Sequence, residues 1–363
     1  MQVNRPQLLA AVGIVRAALV SRPYVQSLSH ILSAGGWLTT YNESIAITTK
    51  LDAEVADLDC CIEGERLYAA LSQFAGTTLD VKVSEGALTL KSGKSIIKLG
   101  TLPAADFLFE TPTLAGGNRL AINQIFIDGI TSCLVGVSKD EALPAAMGVT
   151  MSTDAGVDNI TLYSTDNKTI TRFQTDLPWE SMTRAATILP AQFCEQLVSL
   201  YKTLRCTHVW MHLGDVQAVV RFDDHTVLTA RLQSEYEVIN YEDKIQGLCP
   251  LETIAAGAMR IPDGIDGALG RAVLVLGNES NLAVRFECAP GTLALDASTA
   301  TSSSHDDLVL DDYAGDGLLR FNVDPALVAR GIKQCDSMLP LPGVLVMLGA
   351  KGRLIHLVAH VAR

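Results

Sequence analysis

The 363-residue chain contains no run of about 18 apolar residues, the length a helix needs to cross a bilayer, so no membrane partner is expected. Its first residues, Met1-Gln2-Val3-Asn4-Arg5-Pro6, lack the basic start and long apolar stretch of a secretory signal, and a cytoplasmic location follows as the expectation. None of the eight cysteines forms a Cys-x-x-Cys pair. Cys60 and Cys61 are adjacent, while Cys133, Cys194, Cys206, Cys249, Cys288 and Cys335 are scattered. This supports neither a zinc site nor a thioredoxin-like motif, and buried apolar thiols in a reducing compartment are expected. Gly-x-Ser-x-Gly, Walker and dinucleotide fingerprints are missing from any suitable context, so no enzyme activity and no cofactor are expected. Basic residues are also scarce. The chain has 28 Lys+Arg against 40 Asp+Glu, a formal net charge of −12. That balance excludes non-specific coating of nucleic acid by the whole surface, but not a local basic strip.

What is present is ordinary globular material: 48% hydrophobic and 19% charged residues, which excludes a disordered chain. The length suggests two or three domains. Leu8, Val12, Val15 and Leu19 form a helical stripe over residues 7–20, with Asn4 and Pro6 as start signals. Strands are expected at residues 37–41 and 44–48, then a helix near 63–74. A hairpin at 79–83 and 87–91 alternates apolar and polar residues around Glu85-Gly86.

The order recurs. A helix near 123–135, a strand at 159–163, a helix near 190–204 and a hairpin at 208–212 and 216–220 make a second unit. A helix near 250–259, strands at 272–276 and 282–286, a helix near 324–335 and a hairpin at 344–347 and 354–358 make a third. The second helices start near Glu63, Pro190 and Asp324, a period far longer than the ~20–45 residues of a solenoid repeat. The expected fold is α+β: three similar domains, 1–115, 118–246 and 248–363, each with two helices packed on antiparallel sheet. Candidate joints are 113–117 and Gln246-Gly247-Leu248, and the Ser/Thr-rich stretch 298–307 reads as a loop or an edge strand.

The run Lys91-Ser92-Gly93-Lys94-Ser95, followed by Thr101-Leu102-Pro103-Ala104-Ala105-Asp106-Phe107, resembles the end of the first domain of bacterial DNA polymerase III beta subunits, the sliding clamps. Ser21-Arg22-Pro23 before Leu28-Ser29-His30-Ile31-Leu32 is similar to the family's first helix-to-strand loop. Ile188-Leu189-Pro190 and Phe321-Asn322-Val323 are similar to the entries into helices of its second and third domains. The resemblance implies a ring-forming scaffold of DNA-clamp domains, closed by a head-to-tail homodimer around duplex DNA. It implies sequence-independent phosphate contacts and partners that include a replicative polymerase and a clamp loader.

The resemblance also implies sites. Arg22 matches the family's DNA-contacting loop arginine. Lys139, and the pairs Lys202 with Arg205 and Arg330 with Lys333 at i, i+3, are the other DNA-facing candidates. Arg5, Arg16, Arg66 and Arg260 are further basic residues on the same elements, among Glu63, Glu65, Asp128, Glu195, Glu252 and Asp324. Ala191 and Gln192 replace a basic residue of the family, and a DNA-touching glutamine falls near Asp140. A hydrophobic peptide cleft is expected from Thr165, Ile170, Ile239, Tyr241, Leu357, Val358 and Val361. Its turn reads Thr165-Asp166-Asn167-Lys168-Thr169-Ile170 where the family has Thr-Asp-Gly-His-Arg-Leu, and the C-terminus replaces Met-Pro-Met-Arg-Leu. The head-to-tail interface is expected from Phe107, Leu108 and Phe109 on one side and Met259 and Ile261 on the other.

Two other readings stand beside the clamp: a clamp-fold peptide-docking hub without DNA encirclement, and an unrelated hydrolase on repeated α+β domains. No metal is expected. His208 with His212, and His356 with His360, fall in strand-like alternation, where i and i+4 are about 13 Å apart. Asp223-Asp224-His225 and His305-Asp306-Asp307 read as turn and loop chemistry.

Overall fold

The computed structural model describes residues 1–51, 58–84, 86–109, 118–153, 159–178, 186–250, 254, 257–277, 283–310, 312–313 and 317–361. Among them, seven α-helices are formed: α1 (Arg5–Val15), α2 (Gly64–Gln73), α3 (Gln124–Cys133), α4 (Ala191–Leu204), α5 (Tyr241–Leu248), α6 (Ile265–Leu276) and α7 (Pro325–Ile332). The strands in chain order begin with β1 (Gln2–Asn4), β2 (His30–Ala34), β3 (Trp37–Tyr41), β4 (Ile45–Lys50), β5 (Cys60–Glu63), β6 (Thr78–Ser84), β7 (Ala87–Ser92) and β8 (Ser95–Pro103). They continue with β9 (Asn118–Ala121), β10 (Gly148–Thr153), β11 (Asn159–Thr165), β12 (Thr169–Pro178), β13 (Ala186–Pro190), β14 (Val209–Leu213), β15 (Gln217–Phe222) and β16 (Val227–Arg231). The last are β17 (Met259–Arg260), β18 (Val284–Ala289), β19 (Gly291–Ser298), β20 (Ser303–Leu310), β21 (Leu319–Val323), β22 (Ser337–Leu341), β23 (Val344–Gly349) and β24 (Leu354–Ala359). No helix among the described residues is long and apolar enough to cross a membrane.

The chain divides into two compact units: residues 1–123 with 192–234, and residues 124–191 with 235–363. Unit 1 holds a 12-stranded antiparallel sheet in the order β1-β6-β7-β8-β5-β2-β3-β4-β16-β15-β14-β9. Helix α1 starts where Asn4 accepts a hydrogen bond from the Gln7 amide, with Pro6 in the first turn. Its buried Leu8, Ala11, Val12 and Val15 face α2 and β4. In the β6–β7 hairpin, Leu79 and Val81 point inward while Asp80 sits opposite Lys91 on the outer face. Gly86, with φ of 74°, supplies the left-handed turn residue.

Unit 2 holds an eight-stranded sheet, β13-β10-β11-β12-β24-β23-β22-β17, and a four-stranded sheet, β20-β19-β18-β21. One apolar core joins α6 and α7 to β18, β19 and β21, and also takes Leu345, Met347 and Val358 from one face of the larger sheet. The opposite face of the same strands gives Val344, Val346, Ile355 and Leu357 to a second cluster under α5. Alternation with period two therefore makes one sheet serve two cores.

Several expectations are corrected. Residues 272–276 belong to α6, not to a strand. The run Ala272-Val273-Leu274-Val275-Leu276 reads as a buried strand in isolation, but Ile265, Ala268, Leu269, Ala272 and Leu276 are the buried positions, and their spacing is helical. The candidate joint Gln246-Gly247-Leu248 is helical, at the end of α5. His305-Asp306-Asp307 lies in β20, the edge strand, not in a loop. Half of the helix placed near 250–259 lies outside the described residues, and Met259 itself is in β17. The joint at 113–117 lies outside them as well, and so does residue 282.

Gly349 ends β23 against the backbone of the segment after α7. A methyl group there would come far inside van der Waals contact distance of the Gln334 carbonyl oxygen. Because backbone cannot swing aside, Gly349→Ala should lower the unfolding free energy by about 2 kcal/mol. Chemical denaturation checks this, and an unchanged midpoint would contradict the close approach.

Candidate functional site

The cleft residues are organised by a turn and a sheet within unit 2. In the turn between β11 and β12, Asp166 Oδ1 accepts from the amides of Lys168 (3.1 Å) and Thr169 (2.8 Å) and from the Thr169 hydroxyl (2.8 Å). Asn167 takes φ of 68°, tolerable for asparagine. Thr165, 5% exposed, donates to the Thr169 carbonyl at 2.6 Å, so its hydroxyl is spent on the turn. Beyond the turn, Ile170 pairs with Leu357, Leu357 with Val346, and Val346 with Leu339, an apolar row across four strands.

Helix α5 covers part of that row. Asn240 caps it by accepting from the Asp243 amide at 3.2 Å. Tyr241 is buried and stacks on Tyr163, with ring centroids 5.0 Å apart and planes at 11°. Burial pushes the Tyr241 phenol up to about 12. Glu242 accepts from the Tyr163 hydroxyl and from Arg172 Nε at 3.0 Å, an anchor of charge-assisted bonds where the helix meets the sheet. Ile170, Ile239, Leu341 and Leu348 remain half-buried around this cluster, an open apolar margin.

Of the seven cleft positions, Ile170, Ile239, Tyr241 and Leu357 come together. Thr165 supports the turn. Val358 does not join them: it neighbours Leu357 in a strand, so it points through the other face into the α6–α7 core at 0% exposure. Val361 is half-buried and its amide donates to the Asn322 carbonyl at 2.8 Å. Tyr163, Arg172 and Glu242 were missed by sequence reasoning. Glu242, directly after Tyr241 in a capped first turn, was the available signal.

The basic candidates separate by pairing. Arg16 and Arg66 are held by Glu65 and Glu63, each at 2.7 Å, and Arg260 by Asp263 at 3.6 Å. Arg5 is spent inside the fold, donating to the carbonyls of Gly76 and Leu71. Arg22, Lys139, Lys202, Arg205 and Lys333 are exposed and form no ion pair among the described residues. Arg330 is exposed on α7, with Asp166 Oδ2 at 3.7 Å. The expectation that Arg205 shares a helical face with Lys202 fails. It lies past the end of α4 with φ of 51°.

Among the described residues, two of the open strand edges carry large exposed apolar side chains. Residues 95–100 of β8 pair with β7 on one side, whereas β5 reaches only residues 101–103. This edge carries exposed Lys94 and Lys98, and the exposed apolar side chains Ile96 and Leu108. In unit 2, β20 ends its sheet, with Asp307, Val309 and His305 exposed and Leu274 of α6 82% exposed. His305 is held between Asp296 (2.6 Å) and Asp307 (3.2 Å), which raise its pKa above the usual histidine value. Among the interface candidates, Phe107 is half-buried and Leu108 is 64% exposed. Phe109 stacks on Tyr41 of its own unit. Met259 is corrected to a core residue, 2% exposed, because in β17 it faces the α6–α7 core. Ile261 packs at that core's edge.

Antiparallel sheets with paired helices, repeated along the chain, make this a DNA-clamp fold. Over its full length the chain is similar to solved DNA polymerase III beta subunits. That of Pseudomonas aeruginosa matches with a TM-score of 0.84 at 17% identity, covering 99% of both chains. That of Streptococcus pyogenes matches with a TM-score of 0.83 at 16% identity, covering 100% of this chain and 99% of the other. The Helicobacter pylori beta clamp bound to a DNA ligase peptide matches with a TM-score of 0.83 at 13% identity, covering 100% of both. No family model and no curated relative matches the sequence. At these identities the likeness is one of fold.

The hydroxyl of Tyr241 is buried, with that of Thr150 as its nearest polar neighbour, whereas its ring is stacked on Tyr163. Tyr241→Ala should therefore cost about 3 kcal/mol and Tyr241→Phe less than about 1 kcal/mol. Equilibrium unfolding of the two variants checks the assignment of the ring, rather than the phenol, as the anchor of α5.

Proposed function

We propose that this chain is a sliding clamp. Two copies join head to tail into a ring around duplex DNA, and each copy tethers a replicative polymerase, a clamp loader and other partners through the cleft beside α5. The observation that carries the proposal is the likeness to DNA polymerase III beta subunits over the full length of the chain. On this reading the chain comprises three clamp domains, 1–115, 118–246 and 248–363, and acts as a scaffold without catalysis.

The open edges support the dimer. One is basic and apolar, with Lys94, Lys98, Ile96 and Leu108. The other is acidic and apolar, with Asp307, Asp263, Val309 and Leu274. Exposed strand edges bearing large apolar side chains invite pairing with another chain, and opposite charge fixes which edge meets which. Two different patches in contact make a heterologous interface, which closes into a ring when the rotation permits. Met259 takes no part in it, and Leu274 and Val309 stand in its place. DNA is held by Arg22, Lys139, Lys202, Arg205, Arg330 and Lys333, through phosphates only, so binding is weak, salt-dependent and indifferent to sequence. The peptide-hub reading, without encirclement, is favoured by the net charge of −12.

Sedimentation of the full chain should show a dimer. Leu274→Asp and Val309→Asp should each raise its dissociation constant at least about tenfold. A monomer at every concentration would overturn the ring and leave the hub. After loading, the dimer should stay on closed circular DNA and leave it on linearisation. Lys202→Glu should lower the salt slope of binding by about 1.

A further inference from the structure

Unit 1 repeats, at its own junction between distant strands, the backbone arrangement that makes the cleft of unit 2. In the β3–β4 turn, Asn42 Oδ1 accepts from the amides of Ser44 (3.1 Å) and Ile45 (2.8 Å), as Asp166 does from Lys168 and Thr169. Glu43, like Asn167, has positive φ, 72° against 68°. Ala46 pairs with Thr229 as Ile170 pairs with Leu357. The Arg231 amide donates to the Ser44 carbonyl as that of Ala359 donates to Lys168, and Leu232 donates to Val216 as His360 donates to Gly343.

The side chains at these matched positions differ in size and charge. Where unit 2 has Ile170 and Leu357, unit 1 has Ala46 and Thr229, and a cavity of about 680 Å³ lies over them. That is ample for one or two large side chains. One wall is the stacked pair Tyr41 and Phe109, whose centroids are 4.9 Å apart. The rim carries Val216, 56% exposed, and Arg231, which replaces Ala359 of the unit 2 arrangement. Arg231 is exposed and forms no ion pair among the described residues. The one carboxylate lining the cavity, Glu43, accepts a hydrogen bond from the Tyr24 hydroxyl.

We propose that this cavity is a second docking site, which takes an extended segment of a partner protein carrying a large apolar side chain beside a carboxylate. The apolar side chain lies against Tyr41, Phe109 and Val216, and the carboxylate meets the guanidinium of Arg231, whose fork suits two parallel hydrogen bonds. A single unpaired cation next to Glu43 suits one carboxylate and not a run of phosphates, which calls for several cations. The choice of a peptide rests on the proposed peptide cleft of unit 2, whose backbone plan this site shares.

The full chain, with labelled methyl groups, is titrated with two blocked synthetic nonapeptides. One has a central Glu-Leu-Trp-Glu and the other Gln-Leu-Trp-Gln, both flanked by Gly and Ser. The acidic peptide should shift the methyl signals of Val216 and Ile45, and the amide peptide should bind about tenfold more weakly. Arg231→Glu should bring a similar loss, and Val216→Asp should do so by removing the apolar rim. Both positions are exposed, so the fold is kept. Absence of shifts at Val216 and Ile45, or shifts indifferent to Arg231→Glu, would overturn the proposal. Shifts confined to Ile170 and Leu357 would overturn it while supporting the unit 2 cleft. Shifts confined to Val216 and Ile45 would support it and count against that cleft for this peptide.

Discussion

Main-chain hydrogen bonds between strands far apart in sequence hold both units together. In unit 1, β4 pairs with β16 over Ile45–Thr48 and Val227–Ala230, and the buried hydroxyls of Thr49 and Thr226 meet at 3.0 Å across 177 residues of chain. In unit 2, β12 pairs with β24 over five residues, and the Thr171 hydroxyl lies 2.7 Å from His356 Nδ1, 185 residues away. Burial pushes the pKa of that histidine down to about 4, so it stays neutral inside the sheet. Closing such long loops is entropically costly, and a few residues of ladder do not offset it alone. The apolar rows crossing each junction do, at about 2 kcal/mol for each fully buried large side chain.

The junctions also decide where function can sit. A strand pair made by distant segments ends in loops that need not continue the fold, and their turns are free to present side chains. In both units the turn is locked by an Asn or Asp side chain accepting backbone amides, so the surface beside it is fixed by the fold. Preorganisation of this kind reduces the ordering cost of docking.

Legibility in the sequence followed the local signal. The 79–91 hairpin and the start of α1 could be read because alternation, an Asn cap and a first-turn Pro each dictate a conformation by themselves. Helix α6 could not, because Val273, Leu274 and Val275 favour a strand until Ile265, Ala268 and Leu269 are counted with them. β20 was ambiguous because Ser, His and Asp have little strand preference, and the ladder with β19 overrides it. The resemblance named residues 170, 239, 241 and 357 together, and they do share one apolar cluster. The face was not legible: Leu357 and Val358 are equally apolar, and only the strand register separates them. Arg205 failed for a similar reason, since an i, i+3 spacing means one face only while the helix lasts.

The net charge of −12 acquires a location from the pairing pattern. Much of the acidic excess is committed: Glu63, Glu65, Asp306 and Glu242 each hold an arginine, and Asp296 and Asp307 hold His305. Many exposed cations remain without an ion pair among the described residues, so their surroundings rather than their pairing separate them. Arg231 is distinguished by lining a cavity beside two stacked aromatic rings. An arginine on the rim of an aromatic cavity, beside a glutamate already held by a tyrosine, is placed to select rather than to slide. A chain whose outer surface repels acidic partners can still accept one at a single point, provided that point supplies both the charge and the apolar contact.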